Sequence, residues 1–198
     1  MSSLCLARSE LILGGQKSGK SRRAELLARA WLDASDRYRA VLIATAQPWD
    51  DEMRQRIERH QTDRAERVPG MTTVEEPLAL AEAIVRTSTP DTLVVVDCLT
   101  LWLTNWLMPA SADTNSDANQ PVAPVEYAQT APLLIAISQA PGPVILVGNE
   151  IGLGVIPMGR EVRAFVDALG RLNQDVAGAC QRVTLMAAGL PLTLKDNS

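Results

Sequence analysis

The pattern best suited to chemistry lies near the amino terminus, at residues 14–21. It reads Gly-Gly-Gln-Lys-Ser-Gly-Lys-Ser, which matches the GxxxxGK[ST] spacing of phosphate-binding loops. Glycines let backbone N–H groups curl around a polyphosphate, and the positive end of a following helix adds to the attraction. Lys20 is placed to reach the β- and γ-phosphates, and the Ser21 hydroxyl to ligate Mg²⁺. The predicted nucleotide site begins with Gly14, Gly15, Gln16, Lys17, Ser18, Gly19, Lys20 and Ser21.

An aspartate ends the run of residues with the strongest β-strand propensity in the chain. Residues 93–97 read Leu-Val-Val-Val-Asp, and successive β-branched residues are typical of a buried strand. In an α/β sheet the carboxyl end of a central parallel strand lies beside the phosphate loop, so Asp97 is placed to hold Mg²⁺ or its water together with Ser21. The alternative is an aspartate that only starts a turn.

His60 is the only histidine in the chain. At helical spacing it shares one face with Met53, Ile57 and Arg64. Arg56 and Arg64 lie one turn before and one turn after it, and two guanidinium groups beside an imidazole are typical of a phosphate-binding site. A solvated, charged helix is the alternative, because acidic residues also lie in this segment.

A glycine-punctuated loop at residues 149–157 follows the apolar run 143–148. Its first two residues, Asn149 and Glu150, stand where an α/β fold places ligand contacts. An ordinary strand-to-helix connection explains the same pattern equally well.

The rest of the sequence alternates short apolar runs with helical segments, and these elements must position the candidate residues. Predicted strands cover 10–14, 38–45, 93–97, 143–148 and 182–187, with a short strand and turn within 66–76. Predicted helices follow Lys20, run from an N-cap at Asp50 to about Arg64, and cover 77–86, 125–139 and 160–179. This alternation predicts an α/β fold, a mostly parallel sheet covered by helices on both faces, in a single domain over 1–198. Residues 109–124, rich in small and polar types, are predicted to form a flexible surface loop.

Composition limits the classes of function. The chain has 198 residues, of which 46% are hydrophobic and 21% charged, and this is ordinary globular usage. A net charge of −4 and a pI near 5.1 argue against a nucleic-acid binder held by bulk electrostatics. Three cysteines far apart, with no CxxC pair, suit a reducing, cytoplasmic compartment. Asp97 lies near the middle of the most apolar stretch, so no membrane span is expected.

Four blocks of the sequence together resemble the bifunctional adenosylcobinamide kinase/adenosylcobinamide-phosphate guanylyltransferases of cobalamin biosynthesis. They read LILGGQKSGKSRRAE, VLIATAQPWDDEMRQRIERHQTDR, VVVDCLTLWLTN and VGNEIGLGVIPMGREVRAFVDALGRLNQ. The blocks follow the family's order and spacing and cover nearly the whole chain. The second and fourth are far more specific than a phosphate loop alone. The resemblance implies a P-loop NTPase (RecA-like) three-layer fold.

The resemblance also implies two reactions. ATP or GTP phosphorylates the aminopropanol hydroxyl of adenosylcobinamide, and GMP is then transferred from GTP to adenosylcobinamide-phosphate, giving adenosylcobinamide-GDP and pyrophosphate. In this family the GMP passes through a covalent histidine adduct, and the matching histidine is His60. An imidazole that is largely neutral at pH 7 suits a nucleophile. Lys20 is the second catalytic residue, and the implied assembly is a homotrimer with active sites at subunit boundaries.

By the same resemblance the nucleotide contacts extend beyond the phosphate loop. The residues implied are Ala44, Thr45, Ala46, Gln61, Thr62, Asp63, Arg64, one acid of Glu75 and Glu76, and Asp97. Mg²⁺, held by Ser21 and Asp97, is the implied cofactor, and GTP and ATP are substrates.

Two other functions stay open on the sequence. A different P-loop small-molecule kinase, without guanylyl transfer, would leave His60 with no covalent role. A regulatory module that binds nucleotide without turnover is the second, although intact Lys20, Ser21, Asp97 and His60 argue against a degenerate site. The sequence also leaves open whether the kinase step is retained and whether ATP or GTP donates the phosphoryl group.

Overall fold

Seven short runs rich in Val, Ile and Leu form one β-sheet in the computed structural model, which describes residues 6–48, 50–108 and 123–198. The strands are β1 (Ser9–Gly14), β2 (Arg39–Ala44), β3 (Met71–Glu75), β4 (Thr92–Asp97), β5 (Val144–Asn149), β6 (Arg182–Ala187) and β7 (Leu190–Asp196). Their order in the sheet is β3-β2-β4-β5-β1-β6-β7. Every neighbouring pair is parallel except β6 and β7, which form an antiparallel hairpin.

Six helices connect these strands within the described residues. They are α1 (Lys20–Ala34), α2 (Asp51–Arg67), α3 (Leu80–Thr87), α4 (Leu99–Leu107), α5 (Ala123–Gln139) and α6 (Arg160–Ala179). The start of α2 follows the rule for N-caps, because the Asp50 carboxylate accepts a hydrogen bond from the Met53 backbone N–H at 2.7 Å. The predicted N-cap at Asp50 is therefore confirmed.

The core has two halves because strand residues alternate between the faces of the sheet. Leu11 and Leu13 of β1 face the half that α3, α4, α5 and α6 cover, where Trp102 of α4 is 2% exposed. Ile12 faces the other half, where it packs with Leu27 of α1. Helices on both faces of a mostly parallel sheet are the architecture that the sequence predicted.

Several elements differ from the prediction. Helix α2 continues to Arg67, one turn past Arg64, and ends where Val68 precedes Pro69, since a residue before proline disfavours helical backbone. Helix α3 begins at Leu80 and not at 77. Neither helix α4 nor strand β7 was among the predicted elements. Helix α5 begins at Ala123, so the last two residues of the predicted 109–124 loop are helical. The rest of that loop, residues 109–122, lies outside the described residues.

Candidate functional site

The carboxyl ends of the parallel strands bring the candidate residues to one edge of the sheet. In the strand register, Ala44 of β2 pairs with both Glu75 of β3 and Asp97 of β4. Gly14 of β1 pairs with Asn149 of β5, which lies between β1 and β4. Ligands of open α/β sheets bind outside this edge. The phosphate loop, Asp97 and Glu75 therefore open onto the same side of the molecule.

Backbone conformation explains the glycines of the phosphate loop. Gly14 has a φ of 153° and Gly19 a φ of 101°, values that residues with a side chain rarely adopt. A β-carbon at Gly14 would lie 2.5 Å from the backbone oxygen of Met186. The chain can leave β1 beside β6 in this way only with glycine at position 14.

Lys20 is held over the backbone of the phosphate loop. It is the first residue of α1 and is 8% exposed. Its Nζ donates to the Gly15 carbonyl at 2.6 Å. Ser21 follows it, half-buried, and the first turn of α1 carries no acidic residue. The loop thus offers an ammonium, a hydroxyl and the amino end of a helix, the set of groups that favours a polyphosphate.

One further loop side chain is aimed inward. The Oγ of Ser18 is buried and has no hydrogen-bond partner among the described residues. The exposed residues of the loop are Gly15, Gln16 and Lys17, and Lys17 takes a left-handed φ of 57°. These three lie where a bound polyphosphate would meet solvent.

Asp97 and Lys20 both lie near Cys98. Both charges act on the thiol of Cys98, whose pKa is raised to about 11 by burial and by the Asp97 carboxylate, while Lys20 opposes the rise. Asp97 is half-buried at the end of β4. A carboxylate and a hydroxyl are hard oxygen donors, which suit Mg²⁺. No group of three His, Cys, Asp or Glu side chains in the described residues could hold a metal alone, so a Mg²⁺ here would need the phosphate oxygens of the nucleotide as well.

Thr45 follows β2 and is buried below the surface of the site. It is fully buried, and its Oγ1 donates to the Cys98 carbonyl at 2.7 Å and accepts from the Cys98 N–H at 2.9 Å. Its backbone N–H donates to the Asp97 carbonyl at 3.3 Å. This placement does not fit the expected direct contact between Thr45 and nucleotide, because its polar groups are occupied by the protein.

The guanidinium of Arg64, on α2, lies near the carboxyl ends of the strands. Its guanidinium donates to the Thr73 hydroxyl of β3 at 3.4 Å. Burial lowers the pKa of Arg64, and the carboxylates of Asp97 and Glu25 oppose that effect. A half-buried guanidinium near a carboxylate at the end of the sheet is well placed for a phosphate group. Thr73 and Glu25 were not found by sequence reasoning, since neither stands in a recognisable motif.

His60 lies on α2 one turn before Arg64, an axial rise of about 6 Å. It is exposed, and its side chain makes no hydrogen bond with the described residues. Ile57, which the helical spacing places on the same face, is half-buried. The side chain of Arg56 lies outside the described part of the chain. The helix is tied to α1 further along, where Arg67 Nη1 and Glu25 Oε2 are 3.2 Å apart.

The other predicted contacts of α2 have different placements. Gln61 and Thr62 are exposed, and the Thr62 hydroxyl donates to the Glu58 carbonyl at 3.0 Å. Asp63 pairs with Arg67 at 3.2 Å. Only Arg64 of these four predicted residues reaches a strand of the described sheet.

Glu75, the last residue of β3, and Glu76, which follows it, have different surroundings. Glu76 accepts from the Leu78 and Ala79 N–H groups at 3.3 and 2.9 Å, and its other oxygen lies 3.8 Å from Arg86. It therefore caps the turn into α3. Glu75 is exposed in register with Ala44, which makes it the acid available to a ligand.

The loop after β5 joins the phosphate loop directly. The Glu150 N–H donates to the Gly14 carbonyl at 3.1 Å, and the Asn149 N–H donates to the Thr100 hydroxyl at 2.9 Å. Beyond Glu150 the loop is strongly apolar and open, and Val155 and Met158 are 96% and 95% exposed. A cavity of about 320 Å³ lies between this loop and the start of α6. Within the described residues, no helix is both long and apolar enough to cross a membrane.

Comparison with known proteins gives a family match over most of the chain. Residues 10–194 match the family described as cobinamide kinase / cobinamide phosphate guanyltransferase. The chain is 44% identical over 189 residues to the "Bifunctional adenosylcobalamin biosynthesis protein CobP" of Pseudomonas aeruginosa, covering 94% of this chain and 96% of that protein. It is 36% identical over 187 residues to the corresponding protein CobU of Escherichia coli, covering 93% and 98%. These matches confirm the resemblance predicted from the four sequence blocks.

Solved structures support the fold alone. One solved ATPase domain aligns with a TM-score of 0.53 at 12% identity, over 97% of this chain and 78% of that one. The flagellar accessory protein FlaH of Methanocaldococcus jannaschii aligns with a TM-score of 0.51 at 13% identity, over 97% and 80%. The predicted P-loop α/β fold is confirmed.

Proposed function

Because the chain belongs to the cobinamide kinase / cobinamide phosphate guanyltransferase family, we propose that one nucleotide site at the carboxyl edge of the sheet serves both of the family's reactions. The observation that supports the proposal is geometric: Lys20 over the phosphate loop after β1, Asp97 at the end of β4, and Arg64, which donates to Thr73 of β3, lie along one sheet. His60 lies one helical turn from Arg64. The same cations can then meet the phosphates of GTP while a nucleophile lies on the adjacent helix.

In the guanylyl transfer, His60 is the nucleophile. A neutral imidazole nitrogen attacks the α-phosphorus of GTP, so that a phosphorus–nitrogen bond forms as the bond to the bridging oxygen of pyrophosphate breaks. Pyrophosphate carries that electron pair away. A phosphate oxygen of adenosylcobinamide-phosphate then attacks the same phosphorus and releases the imidazole, giving adenosylcobinamide-GDP. Splitting the transfer in this way replaces one difficult displacement with two easier ones.

The phosphate loop stabilises the charge that develops on the leaving group. Lys20 and the loop N–H groups bind the β- and γ-phosphates, and Arg64 is available to the α-phosphate. Mg²⁺, held by Ser21, Asp97 and the nucleotide phosphates, would neutralise negative charge on the phosphates. In the kinase reaction the same groups bind ATP or GTP while the hydroxyl of adenosylcobinamide attacks the γ-phosphorus. An oxygen–phosphorus bond forms as the bond to the β–γ bridging oxygen breaks, ADP or GDP leaves with that electron pair, and the hydroxyl proton passes to solvent.

The remaining nucleotide contacts are proposed from the edge of the sheet and from α2. They are Gly14, Gly15, Gln16, Lys17, Ser18, Gly19, Ala44, Ala46, Gln61, Thr62, Asp63 and Glu75. Support comes from the register that aligns Ala44 with Glu75 and Asp97, and from the half-buried position of Ala46. Glu75 rather than Glu76 is proposed because Glu76 is engaged in capping.

We also propose a homotrimer in the cytoplasm. A trimer would cover apolar surface that the single chain leaves open: in the loop after β5, Leu153, Val155, Ile156 and Met158 are between 77% and 96% exposed. Free buried thiols at Cys98 and Cys180 suit a reducing compartment. Light scattering tests the assembly, for which three times the 21.4 kDa of the chain is expected.

Labelling with GTP tests the proposed function. The protein is incubated with Mg²⁺ and GTP labelled at the α-phosphate, then denatured and separated by electrophoresis. Wild type should retain an acid-labile, base-stable label, and adenosylcobinamide-phosphate should discharge it. His60→Ala should bind GTP and retain no label, whereas Gln55→Ala, an exposed residue of the same helix, should label normally. Label on His60→Ala, or none on a wild type that binds GTP, would reject the histidine intermediate.

A further inference from the structure

A buried asparagine ties together three segments at the end of the sheet. Asn105 lies in α4, a helix made mostly of Leu and Trp, and is 4% exposed. Its Nδ2 donates to the Thr45 carbonyl at 2.8 Å and to the Pro77 carbonyl at 3.0 Å. Thr45 follows β2, and Pro77 follows β3. One amide group of α4 therefore sets the spacing between the ends of two neighbouring strands.

Thr45 extends this connection to Asp97. Its hydroxyl exchanges two hydrogen bonds with the backbone of Cys98, at 2.7 and 2.9 Å, and its N–H donates to the Asp97 carbonyl at 3.3 Å. The peptide that carries Asp97 is therefore fixed against the end of β2. Buried hydrogen bonds of this kind hold a geometry tightly, because breaking one leaves a desolvated polar group without a partner.

Helix α4 makes a second hydrogen bond to the segment after β3. Trp102 of α4 donates from Nε1 to the Leu78 carbonyl at 2.9 Å. The Glu76 N–H donates to the Ala44 carbonyl at 2.9 Å. Glu75, Ala44 and Asp97, which the register aligns, are therefore supported from below by one helix.

Helix α4 also reaches the phosphate-loop side, where the Thr100 hydroxyl accepts from the Asn149 N–H at 2.9 Å. The side chains of Asn105 and Thr45 make their hydrogen bonds within the described residues only to the segments after β2, β3 and β4.

We propose that Asn105, acting through Thr45, is a positioning residue for the half of the nucleotide site formed by β2, β3 and β4. This inference rests on the proposed function, in which the phosphate loop binds the triphosphate and Ala44, Ala46 and Glu75 contact the rest of the nucleotide. Loss of the amide should weaken binding of the nucleoside part and leave the affinity of the phosphate loop for phosphates unchanged.

The test compares the affinities for GTP and for inorganic triphosphate, measured by calorimetry without Mg²⁺, so that Asp97 does not contribute to either affinity as a metal ligand. Asn105→Leu should raise the Kd for GTP about tenfold, as expected for the loss of two buried hydrogen bonds, without changing the Kd for triphosphate. Asn173→Leu is the matched control. Asn173 is also 4% exposed, and its Nδ2 donates to the Asn149 carbonyl at 3.1 Å, on the phosphate-loop side. Asn173→Leu should lower thermal stability about as much as Asn105→Leu does and leave the ratio of the two Kd values unchanged.

A second pair of variants covers the case in which Asn105→Leu does not fold. Thr45→Val removes both hydrogen bonds to Cys98 and should shift the ratio of the two Kd values as expected for Asn105→Leu. Thr45→Ser keeps the hydroxyl and should have the ratio of wild type. The inference would be overturned if Asn105→Leu and Thr45→Val weakened the binding of GTP and triphosphate equally, or left the ratio of the two Kd values unchanged. The same shift of that ratio in Asn173→Leu would also overturn it. Failure of the proposed function is distinguished by the wild type, which would then retain no label from GTP whatever the ratio in the variants.

Discussion

Arg67 of α2 and Glu25 of α1 form an ion pair with 3.2 Å between Nη1 and Oε2. Glu25 is almost fully buried, and its hydrogen bond raises the pKa of Arg67. The pair lies two turns beyond His60 on the same helix. Residues 51–62 of α2 contain no fully buried side chain among those described, so this contact and that of Arg64 with Thr73 fix the carboxyl half of the helix.

Arg67→Ala should loosen α2 without unfolding the domain. Hydrogen exchange of the backbone amides in the last three turns of α2 should become about threefold faster, as expected for a partly exposed pair. Arg54→Ala is the control, because the Arg54–Asp51 pair at 2.7 Å lies within α2 and is exposed. Unchanged exchange in Arg67→Ala would mean that the pair does not hold the helix.

Lys20→Met should impair both reactions. The side chain keeps its length but loses the ammonium held over the Gly15 carbonyl, and removal of one preorganised group of this kind costs about a hundredfold or more in rate. Kinase and transferase rates are measured separately with adenosylcobinamide and with its phosphate. Lys17→Met, in the exposed part of the same loop, should lose much less. A normal rate for either reaction in Lys20→Met would contradict a shared site.

Asp97→Asn should raise the requirement for Mg²⁺. The amide keeps the shape of the side chain and removes the charge, so the concentration of Mg²⁺ for half-maximal guanylylation should rise about tenfold. Saturating Mg²⁺ should restore part of the rate. Glu76→Gln is the control, because Glu76 accepts from backbone N–H groups in the turn before α3. An unchanged Mg²⁺ titration for Asp97→Asn would remove Asp97 from the proposed metal site.

Local patterns were sufficient to predict the fold and the phosphate loop. The apolar runs of β1 and β4 and the capping Asp50 each act over a few residues, so spacing alone identified them. The hairpin of β7 was missed because its alternating Leu190, Leu192 and Leu194 are 57% to 71% exposed, and the strand depends on pairing with β6.

The supporting contacts of the site could not be predicted in the same way. Thr45 looked like a ligand contact, yet its hydroxyl is bonded to Cys98, a residue 53 positions away. Asn105 reaches Thr45 across 60 positions. Such pairings depend on which strands become neighbours. Helix α4, which carries Asn105, was itself not among the predicted elements.

The buried thiols make stability depend on pH in a defined direction. Burial raises the pKa of Cys98 from 9.0 to about 11 and that of Cys180 from 9.0 to about 12. Between pH 9 and 11 the unfolded chain therefore loses thiol protons that the folded protein keeps, so stability falls as pH rises. The slope is at most about 1.4 kcal/mol per pH unit for each thiol.

Urea unfolding at pH 7.5, 9 and 10.5 measures this effect, with the double variant Cys98→Ala, Cys180→Ala as the control. The variant lacks both thiols and should lose less stability than wild type between pH 9 and 10.5. Other groups that titrate in this range, chiefly lysines and tyrosines, are present in both proteins and cancel in the comparison. Parallel stability curves for the two proteins would show that the thiols titrate alike in the folded and unfolded chains.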